Sequence, residues 1–190
     1  MPEEWAILRS IRLAALRESP RSFCSAYERE AGWDEDAWRQ WSRSVAWFLA
    51  WRDGRPVGIA GGTSGGGPSA EPASGATPPA GHRSGGSPGD ERQVISMWVD
   101  PAARGTGIAD AMFGAVAGWA RADGAKTLKL WVTDASPRAR AFYRRAGFRP
   151  TGSHQKQTGE QDLELEELSI DLGVWPAVNR GHSGQAAAHS

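Results

Sequence analysis

The chain has 190 residues, which is enough for one domain with its own core and short for two. Its formal net charge is +0, and it has no run of Lys and Arg, so its charge favours neither nucleic acid nor an anionic membrane. The longest apolar stretch, Val45 to Trp51, is too short to span a bilayer. Because the chain has one cysteine and no secretory signal at its start, we expect a soluble cytoplasmic protein without an internal disulfide.

The first sixty residues predict two helices and a hairpin. Apolar residues recur at helical spacing in the first predicted helix, at Trp5, Leu8, Ile11 and Ala15. Asp34 is a predicted N-cap for a second, shorter helix. Val45 to Trp51 and Pro56 to Ala60 read as strands, and the Asp53-Gly54 pair between them is typical of a hairpin turn.

Two segments contain few large apolar side chains. Residues 62–90 are mostly Gly, Pro and Ser, and the residues from 173 onward become small and polar. Such segments bury too little surface to offset the entropy of ordering them. The sequence therefore predicts one domain over residues 1–172, with a disordered loop at 62–90 and a disordered tail at 173–190.

Strands and helices alternate after the predicted loop. Strands are predicted at Gln93–Val99, Thr127–Thr133, Phe148–Gly152 and Leu163–Leu172. A helix is predicted from about Gly107 to Ala122, and another after Ser136, its predicted cap. Gly147 closes that second helix. This order predicts an α/β fold around a mixed sheet.

The strongest functional signal is the Gly-rich turn from Arg104 to Ala109, between a strand and a long helix. Gly105 and Gly107 lack Cβ atoms, so a ligand can approach the backbone closely. The first amides of the helix have no intrahelical partner and lie at the positive end of the helix dipole. A diphosphate would be bound well there, with Arg104 as a nearby cation. The alternative is a Gly-rich helix entry without a ligand.

Two better-known phosphate-binding motifs do not match this turn. A Walker loop requires Gly-Lys followed by Ser or Thr, and the chain lacks that sequence. A dinucleotide-binding fingerprint requires a third spaced glycine, and Asp110 occupies that position.

The chain resembles the GNAT superfamily of N-acetyltransferases over about Gln93 to Gly152. Arg104, Gly107 and Ala109 fit the family's Gln/Arg-x-x-Gly-x-Gly/Ala motif. On a later helix, Ala139, Tyr143 and the Gly147-Phe148 pair fit a second family motif, with Ser136 where Asn is usual. Unlike a typical member, the chain begins almost directly with a helix, which leaves two alternatives open: the family's first strand precedes the given start, or the sheet lacks it.

The resemblance implies a fold, a cofactor and a mechanism. The fold is a mixed, mostly antiparallel sheet flanked by helices, and the cosubstrate is acetyl-CoA, with no metal. Its contacts are assigned to Met97, Trp98, Val99, Arg104, Gly105, Thr106, Gly107, Ile108, Ala109, Asp110 and Ser136. The amine acceptor attacks directly, the Val99 amide stabilises the oxyanion, and Tyr143 is the general acid that protonates the departing thiolate.

Several points are left open by the sequence. Gln93 lies where many members have a carboxylate base, and Glu91 nearby is assigned to the loop, so we name no catalytic base. Cys24 is expected to be a small buried side chain rather than a nucleophile, and His154 a solvated loop residue. The acceptor, a small-molecule or protein amine, is undetermined, as is homodimerisation. A non-catalytic CoA-binding or regulatory module is the alternative function.

Overall fold

The computed structural model describes residues 4–64, 89–157 and 162–174. Its helices are α1 (Glu4–Glu18), α2 (Tyr27–Ala31), α3 (Glu35–Ser44), α4 (Ile108–Ala122) and α5 (Pro137–Ala146). Its strands are β1 (Ala46–Arg52), β2 (Arg55–Thr63), β3 (Glu91–Val99), β4 (Thr127–Thr133), β5 (Arg149–Gln157) and β6 (Leu163–Asp171). Short 3₁₀ turns occur at Pro20–Ser22 and Pro101–Ala103.

The strands form one six-stranded sheet in the order β1-β2-β3-β4-β6-β5. The β3–β4 pair is parallel and the other neighbouring pairs are antiparallel. This confirms the predicted α/β fold with a mixed, mostly antiparallel sheet. Within the described residues no strand precedes α1, so β1 forms one edge of the sheet.

Local sequence accounts for the main boundaries. Asp53 and Gly54 both adopt positive φ, 51° and 74°, as the two central residues of a tight hairpin turn do. Asp34 caps α3 as predicted, since its Oδ1 accepts a hydrogen bond of 2.9 Å from the Ala37 amide. Gly147, at φ 103°, ends α5 in the left-handed conformation that glycine tolerates.

Three boundary predictions need correction. Gly62 and Thr63, assigned to the disordered loop, continue β2; residues 65–88 of that loop lie outside the described residues, as do residues 175–190 of the predicted tail. Helix α2, a single short turn of helix, was not predicted. Ser136 occupies the N-cap position of α5 but makes no side-chain cap hydrogen bond, because its hydroxyl lies 2.6 Å from the Ser22 hydroxyl.

Two apolar clusters cover the two faces of the sheet. Successive side chains of a strand point to opposite faces, so Ile59 joins the cluster under α1 and α3 while Ala60 joins the cluster under α4 and α5. The first of these clusters includes a group that we call the tryptophan cluster: Trp33, Trp38, Trp41 and Trp47, with contacting ring centroids 4.6 to 5.6 Å apart.

Glycines in β2 allow α4 to pack closely on the sheet. A Cβ built on Gly62 would lie 2.4 Å from the Trp119 ring, and one on Gly58 would lie 2.5 Å from the Met112 sulfur. Real Cβ atoms do not come so close to a neighbour. These two positions therefore set the distance between α4 and β2, and with it the position of the Gly-rich turn at the start of α4.

Candidate functional site

Strands β3 and β4 separate over most of their length. Their pairing covers Glu91, Arg92 and Gln93 of β3, opposite residues 127–129 of β4. Beyond Gln93 the two strands diverge, and a cavity of about 1070 Å³ opens between them. The strand that ends at Val99 is therefore splayed from its parallel neighbour β4.

A β-bulge in β3 accompanies this separation. Trp98 lies opposite Ile59 of β2, but Ile95 lies opposite Gly61, so two residues of β3, Ser96 and Met97, face one residue of β2. Ser96 has a φ of 55°, which is uncommon for a residue with a side chain. Such a bulge bends its strand and increases the local twist, which turns the end of β3 away from β4.

The register on β2 fixes the direction of the Val99 backbone. The Asp100 amide donates a hydrogen bond of 2.8 Å to the Val57 carbonyl. Because backbone groups alternate in direction along an antiparallel pair, Val99 directs its amide and carbonyl away from β2, towards the cavity. Trp98 directs its own backbone towards β2. Of the two predicted acetyl-CoA contacts at the end of β3, Val99 thus presents its backbone to the cavity, whereas Trp98 presents its side chain.

The Gly-rich turn forms one end of the cavity. Gly105 and Gly107 have φ values of 77° and 83°, and a Cβ built on either would meet nothing within 4 Å. Both positions therefore need the left-handed conformation and face open space. Gly107 is the N-cap of α4, whose 15 residues bring the positive end of the dipole to this point. These features fit a bound diphosphate.

Glu18, at the end of α1, connects this turn to β3. Its Oε2 accepts hydrogen bonds from the Trp98 indole at 2.9 Å and from the Arg104 guanidinium at 2.7 Å. Arg104 also donates from Nε to the Val99 carbonyl at 2.9 Å. Burial opposes ionisation of Glu18, but hydrogen bonds from Arg104, Ser19 and Trp98 outweigh it and lower its pKa to about 2. Glu18 is thus a permanent anion, which makes it a poor proton acceptor.

The other residues predicted at the turn differ in their positions. Ala109 and Asp110 line the cavity, and the Asp110 carboxylate accepts hydrogen bonds of 2.9 and 3.1 Å from Arg145. Thr106 and Ile108 are not among the cavity-lining residues. The Thr106 hydroxyl donates to the Ala103 carbonyl at 2.7 Å and so shapes the turn, while Ile108 packs against the core under α4.

Tyr143 and Ser136 contribute to the cavity from α5 and its N-cap. Tyr143 is 8% exposed, and burial raises its pKa above the ordinary value, at which a phenol is already protonated at neutral pH. Its ring also contacts Phe142 and Phe148 at 5.3 and 5.5 Å between centroids. Packing and proton donation are therefore both compatible with its position. Ser136 is buried at the cavity wall with its hydroxyl next to that of Ser22.

The residues considered for the base role are not free carboxylates in the cavity. Gln93 is buried and lines it, as expected for its place on β3. Glu91 is the first residue of β3 rather than part of the loop, and it forms an ion pair of 2.8 Å with Lys129.

Cys24 is half-buried on the cavity wall, more open than expected. His154 is exposed on β5, a strand rather than a loop.

Arg12, together with aromatic side chains, forms part of the cavity wall contributed by α1 and α3. It is 4% exposed and forms an ion pair of 2.6 Å with the fully buried Glu30. Its guanidinium lies over the Phe23 and Trp41 rings, 4.8 and 5.5 Å from their centroids. Sequence analysis missed this residue. The available signal was a charged residue on the apolar stripe of α1, four positions after Leu8.

Cationic side chains of α5 were also missed. Arg138 and Arg145 both line the cavity near its open side, and they lie seven positions apart on one face of the helix. The link from Glu18 to Trp98 and Arg104 carries no local signal, because these partners lie 80 and 86 positions away in the chain.

Comparison with known proteins identifies the family. The sequence profile of the Acetyltransferase (GNAT) family matches residues 12–148. This match covers most of the chain, and the chain belongs to that family. No curated protein is significantly similar in sequence.

Solved structures share the fold at low sequence identity. An N-acetyltransferase from Staphylococcus aureus Mu50 is 18% identical, with 90% of this chain and 94% of that chain covered and a TM-score of 0.61. A ribosomal-protein-alanine N-acetyltransferase from Brucella melitensis is 19% identical, with 90% and 96% covered and a TM-score of 0.58. A Salmonella typhimurium protein, determined with its cofactor acetyl-CoA, is 14% identical, with 90% of each chain covered and a TM-score of 0.59.

Two features are absent from residues 4–64, 89–157 and 162–174, the ranges that the structure describes. No helix there is long and apolar enough to cross a membrane. No group of three or more His, Cys, Asp and Glu side chains is placed there to hold a metal ion.

Proposed function

We propose that this acetyltransferase transfers the acetyl group of acetyl-CoA directly to a primary amine. One observation carries the proposal: a single cavity joins the Gly-rich turn at the start of α4, the Val99 backbone and the Tyr143 ring. A phosphate-binding end, an oxyanion donor and a proton donor are the parts that acyl transfer from a thioester requires.

The chain binds and orients its cosubstrate at two places. The amides at the start of α4 and the guanidinium of Arg104 hold the diphosphate. Arg104 then interacts with both the diphosphate and the Glu18 carboxylate. Met97 and Val99 line the cavity at the separated end of β3, where the amide-containing pantetheine arm of acetyl-CoA lies alongside the strand. Acetyl-CoA, when bound, supplies an activated acyl group on a thiol leaving group.

Two groups of the chain act on the reacting atoms. The Val99 amide points into the space between β3 and β4 and donates to the carbonyl oxygen on which negative charge develops. The Tyr143 phenol carries a proton at neutral pH, as an ordinary phenol does, and gives that proton to the departing sulfur.

The acceptor amine is deprotonated without a dedicated carboxylate of the chain. Of the carboxylates that line the cavity, Glu18 has its pKa lowered to about 2, and Asp110 is ion-paired with Arg145. We therefore propose that the amine arrives neutral or loses its proton to water. The acceptor is an amine of a small molecule or of a protein, and the reaction takes place in the cytoplasm.

A thiol-release assay tests this function. Purified protein is mixed with acetyl-CoA and a panel of small amines and amine-bearing peptides, and free CoA thiol is measured. We expect release that depends on both the protein and one amine class. Acetyl-CoA binding by calorimetry without thiol release across the panel would favour the non-catalytic module. Absence of binding would overturn the proposal.

A further inference from the structure

The bulge that opens the cavity rests on an unfavourable backbone conformation. Ser96 adopts a φ of 55°, a region that residues with a Cβ rarely enter outside turns. Such conformations persist only where the surrounding structure holds them. Because the bulge turns β3 away from β4 and directs Val99 into the cavity, whatever holds Ser96 also maintains the site.

Arg12 is the side chain that holds Ser96. Its Nη1 donates a hydrogen bond of 3.2 Å to the Ser96 hydroxyl, linking α1 to β3 across 84 positions of sequence. The remaining guanidinium contacts keep Arg12 fixed: Nε and Nη2 donate to the two Glu30 oxygens at 2.9 and 2.6 Å. The rings of Phe23 and Trp41 confine it further.

The environment of Arg12 argues against a simple role in binding an anionic acceptor. Its charge is neutralised by Glu30, which is fully buried, and its forked donors are directed at Glu30 and Ser96. A buried ion pair is weak support for stability, because desolvation offsets most of the attraction. A charge pair retained at this depth, with one donor aimed at a strained residue, fits a role in conformational specification.

We propose that Arg12 is a positioning residue: through its hydrogen bond to the Ser96 hydroxyl it stabilises the positive-φ bulge of β3, which keeps the Val99 amide aimed into the cavity. This inference rests on the proposed function, because its consequence is the affinity for acetyl-CoA. It assigns Arg12 no contact with the reacting atoms.

Substitutions of Ser96 separate this role from ordinary packing. Ser96→Ala removes the hydrogen bond but keeps the Cβ and its backbone preference. Ser96→Gly removes the hydrogen bond and also the steric cost of positive φ. We expect acetyl-CoA affinity about tenfold weaker in Ser96→Ala, as for loss of a hydrogen bond to a charged group. Ser96→Gly should bind within about twofold of wild type, because glycine adopts the bulge unaided.

A second pair of variants acts on Arg12 itself. Arg12→Lys keeps a positive charge for Glu30, but one ammonium group lacks the fork that spans Glu30 and Ser96. It should weaken binding as Ser96→Ala does, and the double variant Arg12→Lys/Ser96→Gly should regain affinity. Ser42→Ala, which removes a hydroxyl bonded within α3, is the control.

Calorimetric dissociation constants and melting temperatures are measured for every variant, starting with the wild type. Lower melting temperatures with unchanged affinities would make Arg12 a purely structural residue and overturn the inference. Ser96→Gly as weak as Ser96→Ala would also overturn it, because the hydroxyl would then act other than through the bulge. A wild-type chain that does not bind acetyl-CoA would instead overturn the proposed function.

Discussion

Tyr143 has two properties that a proton donor for a thiolate needs: it lines the cavity, and its phenol carries a proton at neutral pH. Tyr143→Phe retains the ring and its contacts with Phe142 and Phe148, so the fold and acetyl-CoA affinity should change little. Turnover should fall by about 10²–10⁴-fold if the chemical step limits the rate. The measurement is kcat with a competent amine, beside the dissociation constant. An unchanged kcat, with chemistry shown to be rate-limiting, would return Tyr143 to a packing role.

A substitution of Gly107 tests directly whether the diphosphate binds at the N-terminus of α4. Gly107→Asp should abolish acetyl-CoA binding, because it places a carboxylate at the N-terminus of α4, where the diphosphate is expected. Gly124→Asp is a matched control: Gly124 has φ 82°, faces open space and lies just beyond the other end of α4. The acetyl-CoA dissociation constants of both folded variants are measured by calorimetry. If Gly107→Asp binds as well as Gly124→Asp, the diphosphate lies elsewhere.

The sequence could indicate which residues form the turn, but not which residues support it. Gly105 and Gly107 are visible because glycine marks positive φ, and Tyr143 because a motif places it. The positive φ of Ser96 is not visible in the sequence, because serine does not mark a left-handed residue as glycine does. The contacts of Arg12 with Ser96 and of Glu18 with Arg104 join residues 84 and 86 positions apart. Local patterns contain no information about such pairs.

Among the elements, β2 and α4 are the pair whose spacing depends most on glycine. Gly62→Ala should destabilise the protein by about 1–3 kcal/mol, the usual cost of overpacking, because the new methyl group would collide with the Trp119 ring. Gly118→Ala is the control within α4: it is exposed, meets nothing within 4 Å, and should stabilise the helix by up to about 1 kcal/mol. Denaturant melts of both variants give the free energies of unfolding. A Gly62→Ala variant as stable as wild type would show that β2 and α4 adjust freely.

Elements that end at a glycine or an Asp-Gly turn could be predicted from the sequence, and the short helix α2 could not. Asp53-Gly54 and Gly147 fixed the ends of β1, β2 and α5 within a few residues, since each adopts the backbone conformation its type favours. Helix α2 has 5 residues, too few for a periodic pattern to emerge. The start of the predicted loop was placed two residues early, because Gly62 lacks the side chain that identifies a strand and is glycine for packing reasons.

For the whole molecule, a ligand that binds only the folded chain adds to its stability. Acetyl-CoA at a hundredfold excess over its dissociation constant should add about 2.7 kcal/mol. For a chain of this length that corresponds to a rise in melting temperature of about 5 to 10 °C. Thermal scans with and without millimolar acetyl-CoA measure this rise in melting temperature. Gly107→Asp is the control, and its melting temperature should not change. No shift in the wild type would count against cofactor binding.

The tryptophan cluster gives the protein an optical property of its own. Its indoles contact one another at centroid distances of 4.6 to 5.6 Å, close enough for their electronic transitions to couple. Coupled chromophores in a fixed, chiral arrangement produce paired bands of opposite sign in circular dichroism. Trp41 belongs to this group and also lines the cavity beside Arg12. A molecule that contacts Trp41 from the cavity would therefore perturb the paired bands, so circular dichroism would report its binding without any attached label.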